Sequence, residues 1–154
     1  MDKKIIIENV RDALAAGSNI VESAEKEVVW LLEPAFLVFS IQFGIAEKTK
    51  ALIENRCRVR GITKISGTSL DPVRKLLDNG EEVRHIDQYE GAFMVVADKK
   101  ESISSINVNT EDPSLDDRIV AFWTDDQAYA DFLMATFEAA WGEAVDAEER
   151  LRQL

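Results

Sequence analysis

Apolar residues at Ile6, Val10, Ala13, Leu14, Gly17, Ile20, Val21 and Ala24 recur every three or four positions, the spacing of one helical face. They predict a long amphipathic N-terminal helix over residues 4–25, with a weak point at Gly17-Ser18. Its polar side carries Glu8, Arg11, Asp12, Glu22 and Glu25. The period then collapses into Val28-Val29-Trp30-Leu31-Leu32, the unbroken apolar run of a strand covered on both faces. From Phe36 to Asn55 the helical spacing returns. Arg58 to Ile65 alternates around Val59, Ile62, Thr63 and Ile65 as a second strand. Ser69 or Asp71 caps a short helix with Pro72 in its first turn, and Asn79-Gly80 supplies the left-handed residue at its end. Glu82 to Ile86 follows as a short strand.

Ala92 to Ala97 (AFMVVA) is the strongest strand signal in the chain. The turn Asp98-Lys99-Lys100-Glu101 joins it to Ser102–Val108 as a hairpin. Thr110 to Asp117 is polar and contains Pro113, hence a loop, and Arg118 to Trp123 is the last predicted strand. Asp125-Asp126 opens a C-terminal helix over 125–144 with Tyr129, Leu133, Phe137, Trp141 and Ala144 on one stripe. Asp146-Ala-Glu-Glu149 has the form of a capping box before a short terminal helix. Helices alternating with strands early and a hairpin late predict one α/β domain over 1–154, a mixed sheet of about six strands sandwiched by helices.

Composition narrows the chemistry. A chain of 154 residues with 46% hydrophobic content buries a core without disulfides or a structural metal. With one Cys (Cys57) and one His (His85), four zinc ligands cannot be assembled; no metal and no cofactor are expected. An unpaired Cys fits a reducing, cytoplasmic setting. The opening MDKKIIIE is too short an apolar stretch for a secretory signal. Val28–Ala46 is nearly long enough to span a membrane, but Glu33-Pro34 divides it. An acid at the middle of a span costs roughly 2.5 to 3.5 kcal/mol, so a buried strand followed by a buried helix is the expectation, with no membrane contact.

The net charge is −11, which opposes the phosphate neutralisation that nucleic-acid binding relies on. The charge is uneven. Lys48, Lys50, Arg56, Arg58, Arg60, Lys64, Arg74 and Lys75 cluster in one stretch, whereas residues 111–154 hold twelve acids against three Arg. The basic stretch reads as a solvated helix face and strand rim, or as the site of an anionic ligand or acidic partner.

Three phrases in this order, Cys57-Arg-Val-Arg-Gly-Ile-Thr-Lys, Leu77-Asp-Asn-Gly-Glu-Glu-Val-Arg-His-Ile-Asp and Gly91-Ala-Phe-Met-Val-Val-Ala-Asp98-Lys-Lys, make the chain resemble a phospholipase D-like domain over about residues 5–152. It is more closely similar to the enzymatically silent version at the C-terminus of TrmB-type archaeal sugar-sensing transcription regulators and in some archaeal signalling proteins. Active members of that superfamily carry H-x-K-x4-D followed by a small-Ser-x-Asn stretch; the His is the nucleophile, and the Lys and Asn hold the phosphate. Laid on that pattern, Gly91 stands at the His, Phe93 at the Lys, and Asp98 is retained, while Ser104-Ser105-Ile106-Asn107 falls one residue early. Glycine forms no phosphohistidine and phenylalanine offers an oxyanion no charge, so the resemblance implies a chain that is not an enzyme. Asp98 also reads as ordinary turn chemistry, Phe93 and Met94 as core, His85, between Arg84 and Asp87, as a paired surface histidine, and Trp30, Trp123 and Trp141 as core or interface aromatics.

Three functions follow as expectations. The first is a non-enzymatic sensory or interaction module that binds a small polar or anionic ligand or a partner protein. It would act in transcriptional regulation or signal transduction as a homodimer, because active relatives join two such halves. Ligands of open α/β sheets bind beyond the C-terminal strand ends, which selects Lys64, Ser66, Arg84, His85, Asp87, Ser105 and Asn107; Lys64 and Arg84 would favour a carboxylate, phosphate or polyol. The second is a phosphodiester hydrolase with a non-standard site, provided by the acids or by His85 in place of the missing nucleophile. The third is a purely structural adaptor. Met1 stands too close to the first helix for a helix-turn-helix module, so direct nucleic-acid contact is not expected.

Overall fold

The run Val28 to Leu31 lies inside the sheet, as its unbroken apolar character requires: both faces of this strand are covered, and Val28 and Val29 are fully buried. The computed structural model describes residues 3–87, 93–105 and 114–154. In chain order the elements are β1 (Lys4–Asn9), α1 (Val10–Ser23), β2 (Glu27–Leu31), α2 (Pro34–Gln42), α3 (Ile45–Glu54), β3 (Arg58–Thr63), α4 (Leu70–Asp78), β4 (Glu82–His85), β5 (Phe93–Ala97), β6 (Glu101–Ser105), β7 (Arg118–Thr124), α5 (Gln127–Glu143), β8 (Val145–Asp146) and α6 (Ala147–Arg152). They form one eight-stranded sheet in the order β1-β7-β6-β5-β2-β3-β4-β8. β2, β3 and β4 run parallel, and the other pairings are antiparallel.

The mixed α/β sandwich is as the sequence predicts, but the sheet has eight strands where about six are expected. Residues 4–9 are a strand, not the start of the first helix. The run Ile5-Ile6-Ile7 is β-branched, stiff at χ1 and suited to a pleated surface, and it pairs with β7 through Ile5↔Trp123 and Ile6↔Phe122. Asn9 then starts α1, its side chain accepting from Asp12 N at 2.8 Å. Gly17 does not interrupt α1; it faces the Ile103 and Val95 side chains in the core. The helix expected over 36–55 is broken in two by Gly44, at φ +87°, a conformation that glycine enters without penalty. The second unforeseen strand, β8, is two residues pairing with Arg84 and His85, too short to leave a periodic signature. Val28–Ala46 is a buried strand followed by a helix, and among the described residues no helix is long and apolar enough to cross a membrane.

The two faces are unequally covered. One core gathers Val28, Trp30, Val59, Val83, Phe93, Val95 and Ile103 under α1 to α4 and α6, and the other gathers Val29, Leu31, Ile62, Met94 and Val96 under α5. On the first face the Trp30 indole lies flat across the neighbouring strand over Gly61, its partner in the parallel register. A Cβ at position 61 would fall inside the ring. From that position Trp30 Nε1 donates to Glu81 Oε1 at 2.9 Å.

At the tip of the β5–β6 hairpin, Asp98 and Lys99 both have φ +56°, the backbone of a type I′ turn carried by two non-glycine residues. Asp98 accepts three backbone N–H groups from the α1–β2 connection, those of Glu25, Lys26 and Glu27, at 2.7 to 3.0 Å. Burial pushes its carboxyl up, but these amides outweigh that effect and hold it below the usual Asp value. The strained turn is thus anchored by the side chain it presents.

Two substitutions test these contacts. Gly61→Ala drives a methyl into an indole that cannot retreat without losing its bond to Glu81, and is expected to cost about 3 kcal/mol or more in denaturant unfolding. Asp98→Ala removes three charge-assisted bonds and is expected to cost about 2 to 4 kcal/mol at pH 7. Because the folded-state value is depressed, this contribution is present above the ordinary Asp value of 3.8. It fades as pH falls through the folded-state value, so wild type and variant converge in acid.

Candidate functional site

The described members of the sequence-selected set lie at one end of the sheet, but most of their polar groups are engaged within the fold. His85 is 3% exposed rather than at the surface. Its Nδ1 accepts from Ile65 N at 2.9 Å, which places the ring proton on Nε2, 2.7 Å from Asp87 Oδ1. That bond holds the exposed Asp87 carboxyl below its usual range. Arg84, one residue earlier, projects from the opposite face of the sheet. Its guanidinium covers the Trp141 ring at 4.1 Å, and its Nη1 donates to Trp141 O at 2.7 Å. Ser66 N donates to Ser69 Oγ, which donates to Lys64 O at 2.6 Å, while the Lys64 side chain is exposed. Ser105 is buried and donates to Val120 O. Asn107 lies outside the described residues.

The basic stretch is dispersed in the same way. Lys48 pairs with Glu22, Arg58 with Glu82, and Lys75 with Glu47. Arg60 is buried beneath α5, 2.5 Å from Glu138 Oε1 and within about 5 Å of the Phe137 and Trp141 rings. Cation–π contact with two aromatics offsets part of the desolvation of a guanidinium lying under a helix. Half of the basic stretch is thus engaged with carboxylates, while Lys50, Arg56, Lys64 and Arg74 are exposed.

An enclosed apolar site forms on the face of the sheet that carries α1 to α4. A cavity of about 50 Å³ opens between α1, α2 and α3 above β2 and β5. Its walls are apolar, from Leu14, Val21, Leu32, Leu37, Phe43 and Phe93, and its polar end is Glu81 with Thr49 and Trp30. Glu81 is 4% exposed. Among the described residues its bonds are to Trp30 Nε1 and Thr49 Oγ1, and burial raises its pKa to about 7, although both bonds lower it. Sequence reasoning passed over this residue. The available signal was alternation: Glu81, Val83 and His85 share a parity, so a strand with Val83 inward carries Glu81 inward too.

The positions of the H-x-K-x4-D pattern can be followed in part. Gly91 and Ala92 lie outside the described residues. Phe93 is buried, 5.5 Å from the Phe36 ring, and serves as a core aromatic. Asp98 performs the turn-anchoring role described above. Ser104 Oγ lies 2.9 Å from Tyr129 OH.

No family profile matches the sequence, and no curated protein matches it. Solved structures do share the fold. TrmBL2, an archaeal chromatin protein with a novel mode of DNA binding, is 12% identical with a TM-score of 0.75 over 94% of this chain; this chain spans 54% of that one. Nuc from Salmonella typhimurium, a phospholipase D family member, is 9% identical with a TM-score of 0.72, covering 95% of this chain and 98% of its own. NucT from Helicobacter pylori is 14% identical with a TM-score of 0.71, covering 95% and 99%. Two expectations are thereby overturned. That the chain is not an enzyme does not stand, since its fold is shared almost end to end with Nuc and NucT, which are enzymes. That it makes no direct nucleic-acid contact does not stand either, since the same fold occurs in a DNA-binding chromatin protein, and net charge describes no single face. The architecture is phospholipase D-like, of the kind found in Nuc, NucT and TrmBL2.

Proposed function

We propose that the chain is a sensory module whose small-molecule effector enters the cavity beside Glu81, and that it acts in transcriptional regulation or signal transduction as a dimer. The observation carrying this reading is a buried carboxyl with no cationic partner among the described residues, set at the end of an apolar cavity. A ligand with a short hydrocarbon tail and a primary amine suits it: the tail replaces water along Leu14, Leu37 and Phe93, and the ammonium supplies the charge that Glu81 lacks. An anionic effector fits this end poorly, because it would meet a carboxyl in low dielectric. The polar crevice expected from Lys64, Ser66, Arg84, His85, Asp87 and Ser105 is the weaker reading, because most of those groups already have partners.

The proton on Glu81 follows from hydrogen-bond counting. Thr49 Oγ1 has one proton but two acceptors in range, Ala46 O at 3.2 Å and Glu81 Oε2 at 2.8 Å. With Glu81 protonated, its O–H donates to Thr49 and Thr49 donates to Ala46 O, so every group is satisfied. An arriving ammonium would take that proton's place.

Two outcomes are expected. The Glu81 pKa is raised on folding from 4.5 to about 7, so the folded state binds the extra proton between those values. Stability then falls as pH rises from about 4.5 to about 7 and levels off above, by on the order of 3 kcal/mol; Glu81→Gln removes that slope in urea titrations at a series of pH values. In calorimetry or thermal melts at pH 8, butylamine stabilises the protein saturably, butanol does so weakly and butyrate not at all, and Glu81→Gln erases the preference for the amine. No saturable response to any of the three, or an amine preference unchanged in Glu81→Gln, overturns the reading.

A further inference from the structure

β1 is an edge strand. Among the described residues it pairs only with β7, and an unpaired edge is a template for another strand. Its sequence from Lys4 to Glu8 reads Lys-Ile-Ile-Ile-Glu, which is self-complementary when two copies run antiparallel. With a twofold axis through Ile6, Ile6 faces Ile6, Ile5 faces Ile7, and Lys4 faces Glu8 at both ends. Lys4 and Glu8 are both exposed, and neither has an ion-pair partner among the described residues.

The backbone agrees with that register. Asp125 N donates to Lys3 O, so the odd-numbered positions of β1 direct their backbone groups at β7. Alternation then turns the N–H and C=O groups of Lys4 and Ile6 outward, ahead of the register shift that the β1–β7 ladder makes between Ile7 and Asn9. Ile6 is the position that the twofold pairs with its own copy.

The side chains agree as well. Ile6 is 68% exposed and Val120 66%. Ile6 stands opposite Phe122 in the register, on the same face. Phe122 lies edge-on to Tyr129 at 5.4 Å, and Tyr129 stacks on Phe132, itself 64% exposed. α5 packs on β2, β5 and β6, so this apolar strip continues outward from the helix toward the β1 edge. Contiguous exposed apolar surface of this kind marks an interface. A twofold normal to the sheet places both strips on the same side, where one Ile6 meets the other.

We propose that a second copy of this chain docks on the β1 edge, antiparallel about Ile6, to continue the sheet across an isologous dimer. The inference is independent of the cavity reading. The test is sedimentation equilibrium of the full chain with charge exchanges at the two ends of the strand. Wild type is expected to sediment as a two-chain species. Lys4→Glu and Glu8→Lys each place like charges opposite and weaken association at least tenfold. An equimolar mixture of the two single variants restores a two-chain species, because the first then carries a carboxylate at both ends of the strand, the second an ammonium at both, and every cross-strand pair is again of opposite sign. Thermal melts of each variant alone confirm that the fold is retained, and Ile6→Lys, which changes no end charge, also dissociates the dimer. Wild type that is monomeric at its highest soluble concentration overturns the proposal. So does a dimer indifferent to these changes, or one that the mixture does not rescue.

Discussion

The contact on which most of one sheet face depends is the indole of Trp30 lying over Gly61. Because β2 and β3 are parallel and in register at this pair, the bare Cα of Gly61 is what allows a large ring to cross from the centre of the sheet toward β4. Glycine inside a strand weakens it by entropy and lost packing; here the ring covers the gap, an exchange of local propensity for tertiary contact. The indole N–H then needs an acceptor in an apolar layer, and Glu81 supplies one. The cavity, the raised carboxyl and the course of α3, whose Thr49 completes the group, all follow from that placement.

Much of this architecture was legible because hydrophobic periodicity responds to burial, and burial is what the sandwich enforces. The six strands read from the sequence correspond to β2 through β7, α4, α5 and α6 lie where spacing and caps placed them, and α1 occupies the later part of the helix read over 4–25. The failures have particular causes. Ile5 to Ile7 satisfies the helical spacing of the following residues by coincidence, and only its β-branching distinguishes it. The apolar stretch from Pro34 to Ile53 is helical on both sides of Gly44, and periodicity does not register a change of axis. β8 exists because Arg84 and His85 offer it an edge, which is a tertiary fact.

The candidate site was less legible. Residues at strand ends were selected by position, and position does not say whether a polar group is already bonded. His85 is the clearest instance: its two ring nitrogens are taken by Ile65 and Asp87. Arg84 and His85, adjacent in sequence, are separated by the thickness of the sheet. Asp98 and Phe93, which the sequence reading laid on the H-x-K-x4-D pattern, are both engaged in structural contacts. Asp98 anchors the loop before β2, and Phe93 fills core volume against Phe36, so both are fixed by packing whatever chemistry the domain performs.

A net charge of −11 opposes pairing of the chain with itself, yet the imbalance is not spread evenly. Acids concentrate in residues 111–154, whereas the β1 edge carries one Lys and one Glu flanking three isoleucines. Screening confines electrostatic interaction to about 8 Å at physiological ionic strength, so the charges that matter at an edge are those directly opposite. There the pairing is attractive, and the distant excess of acid is screened. Uneven cover reinforces the effect: among the described residues five helices lie over one face and one over the other, so unburied apolar surface remains on the side α5 does not fully cover. A net charge that keeps chains apart in bulk solution is therefore compatible with one short, locally neutral strand that joins them.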